Sequence, residues 1–188
     1  MDLPPPPGGG LQSVLRRGVT LIEMLVVVVM IGILAGIVAS KLDWGRYRAD
    51  SEGRGLLAAL SQAQRTAVSL QTDLRVTVID GGSRLQIHED ANNNASIDSG
   101  ERVTFAVMNH EYRIGRGSMA ALPAPAEPGE LDALVFRRDG TASRSGAFYV
   151  RPPAAGDACK YCRAVSIQRA TGRTVSWSHA TGSWVRAD

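Results

Sequence analysis

The chain is short of the residues on which most enzymes rely. It has three histidines, two cysteines, and aromatic residues at only 5%. His88, His110 and His179 are scattered, with no His-Glu-x-x-His pair for a metal, no Gly-x-Ser-x-Gly elbow and no phosphate-cradling glycine loop. Each is expected at the surface or a strand end, and no catalytic set is expected. Cys159 and Cys162 are too few for a zinc site without a histidine pair beside them. Redox use of a Cys-x-x-Cys needs a helix N-terminus and a βαβ context, whereas Arg163 to Ile167 reads as a strand. A local structural disulfide is the preferred reading. Charge of one sign is lacking too: 21 Lys and Arg stand against 18 Asp and Glu, too small an excess to argue for nucleic acid by itself.

What the chain does have is one long apolar run. From Met24 to Ala39, extended backwards by Val19, Leu21 and Ile22, about 20 residues at ~1.5 Å rise per residue nearly cross a bilayer core of ~30 Å. Arg16 and Arg17 precede it and hold that end on the cytoplasmic side by the positive-inside rule. Within it the only charge is Glu23, and a carboxylate in hydrocarbon costs several kcal/mol unless it finds a partner. A secretory signal would carry its small-residue cleavage site on the far side of the apolar run. Here Gly18 lies on the near side.

Gly18-Val19-Thr20-Leu21-Ile22-Glu23 resembles the processing site of type IV prepilins and of the pseudopilins of type II secretion, with Val19 where that family usually has Phe. The resemblance implies cleavage between Gly18 and Val19 by a prepilin peptidase and N-methylation of Val19. It also places Glu23 at the family's glutamate, five residues into the mature chain. A new amino group on Val19 could pair with Glu23 of a neighbouring helix, which would relieve the buried charge and set the register between subunits. Gly32 and Gly36 permit close helix approach.

Three segments follow. Residues 1–18 form a leader whose Pro4 to Gly10 stretch cannot pack; residues 19–40 form the transmembrane or filament-core helix; residues 41–188 form a globular head, periplasmic by the same topology and so in an oxidising compartment. Removing the leader leaves 19 basic and 17 acidic residues, with the basic excess after Glu130. Lys41 to Tyr47 places Leu42, Trp44 and Tyr47 among charges, as an interfacial segment does. Leu56, Leu60, Ala63, Ala67 and Leu70 make one apolar helical stripe, so the N-terminal helix is expected to continue to about residue 71, weakened or bent at Gly53 and Gly55.

Strands are expected at 74–79 and 84–88 around Asp80-Gly81-Gly82-Ser83, at 103–107, as a pair at 133–137 and 147–151, and as a C-terminal pair at 164–169 and 173–178. The fold class is α+β: a long N-terminal helix, membrane-spanning in its first half, packed on an antiparallel sheet. The helix, the hairpin, the Pro-containing loop and the Thr171-Gly172-Arg173 turn resemble the GspH and FimT branch of minor pseudopilins and minor pilins.

Two further groups carry candidate chemistry. Asp90, Asn92, Asn94, Ser96, Asp98 and Glu101 have the ligand spacing of an EF-hand calcium loop, with Ala95 where the sharp turn wants Gly and with strands as flanks. Beside the calcium reading stands an Asn-rich loop held by Asx-turns. Structural Ca²⁺ is the one cofactor considered, and none is required. Arg163, Arg169, Arg173 and Arg186, with Trp177 and Trp184 among them, could form a DNA-binding face. DNA uptake is known in the FimT-like branch, but a solvated hairpin edge guarded by arginines is the preferred reading.

The sequence thus reads as a minor pseudopilin, a non-enzymatic subunit of a type II secretion pseudopilus. It would sit in the bacterial inner membrane as a single-pass protein and partner other pilins through its N-terminal helix. The alternatives are a minor pilin acting in pilus assembly or DNA uptake and, from a different class, a membrane-anchored periplasmic enzyme.

Overall fold

The computed structural model describes residues 19–39, 41, 43–109, 111–126, 129–152, 159–180 and 182–187. Gly18 and the rest of the leader, Leu42 and His110 lie outside the described residues. Met1–Leu42 and Asp43–Asp188 are separate compact units.

The first unit contains α1 (Leu21–Ala39). Thr20 opens it: its hydroxyl accepts the Glu23 N–H at 3.3 Å, so the Thr-x-x-Glu spacing is that of a capping box. Every α1 side chain is exposed. Mean hydropathy reaches 2.9, long and apolar enough to cross a membrane. A helix apolar on all sides has no preferred core face; it suits lipid or a bundle of its own kind.

In the second unit α2 spans Trp44–Leu70. The N-terminal helix expected to continue to about residue 71 is therefore two helices, divided before Trp44. Asp43 explains the restart: it is non-helical, and its carboxylate accepts the Arg46 N–H at 3.1 Å, a use that suits Asp better than a helix interior. Gln71, at φ 54°, closes α2 with its N–H on Ala67 O. The helix passes through Gly53 and Gly55, expected to weaken or bend it, without a break. Gly53 serves packing instead. A Cβ there would stand 3.0 Å from Cβ and Cγ of Arg163, so its absence lets that side chain cross the helix.

Among the described residues nine strands form two antiparallel sheets. β1 (Asp73–Ile79), β2 (Arg84–Asp90), β3 (Val103–Val107) and β5 (Ala133–Phe136) pair in the order β3-β2-β1-β5. β4 (Arg113–Ile114), β6 (Gly146–Arg151), β7 (Arg163–Ile167), β8 (Thr174–Ala180) and β9 (Ser183–Arg186) pair in the order β4-β6-β7-β8-β9. The 133–137 and 147–151 segments, expected to pair, belong to different sheets: β5 pairs with β1, and β6 with β7. The connection prevents a hairpin. Ser143 donates its N–H to Val135 O at 2.8 Å and accepts Val135 N–H on its hydroxyl at 3.0 Å, so residues 142–144 cover the β5 edge.

α2 packs against β7 and β8 of one sheet and β1 of the other. Its Leu56, Leu60, Ala63 and Ala67 meet Leu74, Val76, Leu85, Leu134 and Phe136 from the first sheet and Phe148, Val150, Val165 and Ile167 from the second. Leu70, expected in the stripe, is exposed. The other face of the second sheet buries Ala147, Tyr149, Cys162 and Ala164 under Met119, Leu122 and Trp184. β6 and β7 are thus buried on both faces, which is why they read as apolar runs without alternation. At the far end of α2, Gln64 donates to Gly140 O at 2.9 Å and Thr171 O at 2.8 Å. Gly172, at φ 61°, fits beside them where any Cβ would collide with Gly140 O and Gln64.

Candidate functional site

Of the N-terminal processing and assembly residues, Val19 and Glu23 are described. Val19 is exposed and Glu23 follows in the first turn of α1. Gly32 and Gly36 have nothing within 4 Å of where a Cβ would stand, so a second helix can approach there.

Cys159 and Cys162 are joined in a disulfide. The residues between them work at the start of α2. Tyr161 lies over Gly45, where a Cβ would stand 2.8 Å from the ring, and its hydroxyl donates to Asp43 Oδ2 at 3.4 Å. Lys160 Nζ lies 3.4 Å from the same oxygen and 5.1 Å from the Tyr161 ring centre. The Arg46 N–H foremost, with Tyr161 and Lys160, holds the Asp43 carboxyl below its ordinary range. The sequence showed the bridge but not this clamp, since Asp43 and Lys160 are far apart in the chain.

The predicted arginine cluster divides. Arg163 is buried. Its Nη2 lies 2.7 Å from Asp50 Oδ1, its Nε donates to that oxygen at 2.8 Å, and its Nη1 donates to Cys162 O at 2.7 Å. It is a structural tie from β7 to α2, which corrects its place in both the preferred solvated hairpin edge and the alternative DNA-binding face. Arg169, Arg173 and Arg186 are exposed. Arg173, Arg186 and Trp177 line one cavity of about 210 Å³, while Trp184 is buried with its indole N–H on Ala120 O at 2.9 Å. A second cavity, about 370 Å³, lies between α2 and β8 and is lined by Asp50, Arg54, Arg163, Trp177 and Arg186. Among the described lining residues the one carboxylate, Asp50, is held by Arg163, so these residues offer no acid–base pair. His88 and His179, expected at the surface or a strand end, are buried near the ends of β2 and β8: His179 Nδ1 lies 2.6 Å from Cys159 O, and His88 Nε2 2.7 Å from Glu101 Oε2.

The loop from Asp90 to Glu101 is closed by its own side chains. Asp90, fully buried, accepts Arg75 Nε–H at 2.5 Å and the N–H groups of Asn94 and Ala95 at 3.1 Å each. Asn92 Oδ1 accepts Asn94 N–H at 3.1 Å and Asn94 Oδ1 accepts Ser96 N–H at 2.7 Å, two successive Asx-turns. Asp98 Oδ2 accepts both asparagine amides at 2.7 Å. Glu101 accepts the N–H groups of Ala91 and Asp98 at 3.0 Å each. Ala95 makes the sharp turn without a glycine, at φ 65°.

The predicted ligand set is not assembled as one. Asn92, Asn94 and Asp98 face one another, whereas Asp90 is engaged by Arg75 and Glu101 by His88. Among the described residues no group of three His, Cys, Asp or Glu side chains is placed to hold a metal. The two asparagine amides hold Asp98 below its ordinary range, and the Asp98 N–H with His88 does the same for Glu101. Burial pushes Asp90 up, but Arg75 and the two loop N–H groups outweigh it and its net shift is downward.

The prokaryotic N-terminal methylation motif matches residues 15–39, and the type II transport protein GspH model matches residues 52–172. No curated protein matches the chain. Among solved structures, the minor pilin FimU of Pseudomonas aeruginosa is 21% identical at TM-score 0.49, covering 69% of this chain and 87% of that one. The minor pseudopilin EpsH of the Vibrio cholerae type 2 secretion system is 13% identical at TM-score 0.46, covering 70% and 97%.

Two outcomes follow from the geometry. Arg163→Ala should destabilise the protein by about 2 kcal/mol, because Cys162 O and the part-buried Asp50 carboxylate lose their donors; urea unfolding checks it. The depressed Asp98 and Glu101 stabilise the fold above their ordinary values of 3.8 and 4.5, and that contribution is lost as pH falls through the lower folded values. Thermal melts between about pH 5 and about pH 3 should therefore fall less steeply for Glu101→Gln than for the parent protein.

Proposed function

Because this chain belongs to the type II transport protein GspH family, we propose that it is a minor pseudopilin, a structural subunit of the short filament of a type II secretion system. The observation that carries the reading is the joint match of two segments in order: the methylation motif over residues 15–39 and the GspH region over residues 52–172. The pilin and pseudopilin families are structural, and α1 is an apolar helix suited to anchoring in a membrane. In this reading the protein is the substrate of a prepilin peptidase, which cuts between Gly18 and Val19, and is not itself an enzyme. Methylation of Val19 follows, the inner membrane holds α1, and the head lies in the periplasm.

Assembly uses α1. Insertion among other helices of its kind removes its exposed apolar side chains from lipid without changing their polarity, so direction must come from the polar exception. Glu23 is that exception. An amino group on Val19 of a neighbouring subunit is its natural partner, because an unpaired carboxylate at that depth is costly and the pair fixes the axial offset. The arginines near the C-terminus are assigned no DNA role here. Ca²⁺ at the 90–101 loop is proposed as an optional addition that would draw Asp90 and Glu101 away from Arg75 and His88.

Gly18→Glu should leave the chain at its precursor mass, while Glu23→Ala should be processed normally and fail to enter filaments. Intact mass and filament pull-down read the two steps separately. Normal processing of Gly18→Glu would overturn the cleavage reading. If Ca²⁺ binds the loop, millimolar Ca²⁺ raises the melting temperature relative to chelator by mass action on the native state. Identical melts would exclude it.

A further inference from the structure

Among the described residues β3 is an edge strand, with β2 as its only partner in the first sheet. The hydrogen bonds at its two ends set its orientation: Glu89 N–H donates to Arg102 O and Met108 N–H donates to Ser83 O, both at 2.9 Å. In an antiparallel ladder such pairs alternate, so Thr104 and Ala106 also turn their backbone groups to β2. Val103, Phe105 and Val107 therefore turn theirs away from the sheet. Among the described residues no strand or loop pairs with that side of β3, whereas residues 142–144 cover the opposite edge at β5.

Edge strands usually carry a charge, a proline or a bulge that discourages pairing. Val-Thr-Phe-Ala-Val has none of these, and its register with β2 is unbroken. The side chains beside the open backbone are apolar and uncovered: Phe105 is 50% exposed and Val107 56%. Nearby charges are already matched. Arg84, which lies 5.1 Å over the Phe105 ring, pairs with Asp80, and Arg102 lies 3.7 Å from Glu89.

We propose that β3 is a self-association edge, taking β3 of a second copy of this chain in antiparallel register about a two-fold axis beside Phe105. In that register Phe105 faces Phe105, and Val103 faces Val107. All three residues turn their backbone groups outward, so each outward N–H meets an outward C=O. Thr104 then faces Ala106 and Arg102 faces Met108, so no like charges oppose one another. The apolar side chains of both copies fall on the same face, which buries Phe105 and Val107 together. A register shifted by one residue would set outward groups against those already spent on β2, and one shifted by two would keep the ladder but lose the Phe105–Phe105 contact at its centre. The backbone thus allows self-pairing, with Phe105 favouring the central register, and it needs the head alone, independent of the filament reading.

The test uses the full-length chain in detergent micelles. With Cys159 and Cys162 bonded and no free cysteine among the described residues, a Phe105→Cys variant carries one free thiol. Opposed residues in such a pair have Cα atoms about 5.5 Å apart, within disulfide range. A Gln62→Cys variant, its thiol on the exposed side of α2, measures collisions brought about by α1 alone. Phe105→Cys is expected to cross-link at least about tenfold faster than Gln62→Cys, because pairing holds its two thiols at a high effective concentration. Adding Val103→Pro or Val107→Pro to Phe105→Cys should bring its rate down to that of Gln62→Cys. Each proline removes an outward N–H and leaves the β2 ladder intact, so the fold is kept. Equal rates for the two thiol variants, or a Phe105→Cys rate that both prolines leave unchanged, would overturn the proposal and leave the edge to a strand of a different polypeptide.

Discussion

One helical stripe has to serve two sheets, and the head depends on how α2 manages it. Leu56, Leu60, Ala63 and Ala67 recur at spacings that keep them on one side of the helix, which accounts for a single buried surface. Two sheets meet that surface, so the helix must be held in position at both ends. At one end Asp43, Asp50 and Gly53 receive Tyr161, Lys160 and Arg163; at the other Gln64 reaches Gly140 and Thr171. The small residues are placed accordingly. Gly45 and Gly53 are sites where side chains from the second sheet's end lie against the helix backbone.

Features with a local cause were legible in the sequence. The apolar run, the stripe of α2 and the hairpins around residues 80–83 and 170–173 each follow from neighbours in the chain. Features that depend on residues far apart were not. Nothing near Arg163 announces Asp50, which is why a buried ion pair was read as part of a surface charge cluster. The burial of His88 and His179, read as surface or strand-end residues, was missed for the same reason, since Glu101 and the Cys159 carbonyl come to them only through folding. The assignment of β5 and β6 to different sheets turns on the short segment after Gly140, whose Ser143 binds back to Val135.

The 90–101 loop shows how one residue pattern supports two physical readings. Oxygen-bearing side chains at alternate positions are what a hard cation needs, and they are also what successive Asx-turns need. In the structure the asparagine carbonyl oxygens face the loop N–H groups, and the acids at either end are engaged by Arg75 and His88. The loop is therefore closed before any ion arrives. Its closure is electrostatic, which ties its behaviour to pH more directly than apolar packing would.

The clamp at Asp43 also has a mechanical side. The chain enters the head at that residue, directly after the segment that carries the apolar helix. Tension arriving along the chain meets Tyr161 and Lys160 first and Arg163 second, and all three are carried by the disulfide loop and the strand that leaves it. These contacts follow one another along the first turns of α2. A load parallel to the helix is shared among them as shear, and the fold resists being peeled open from its tethered end.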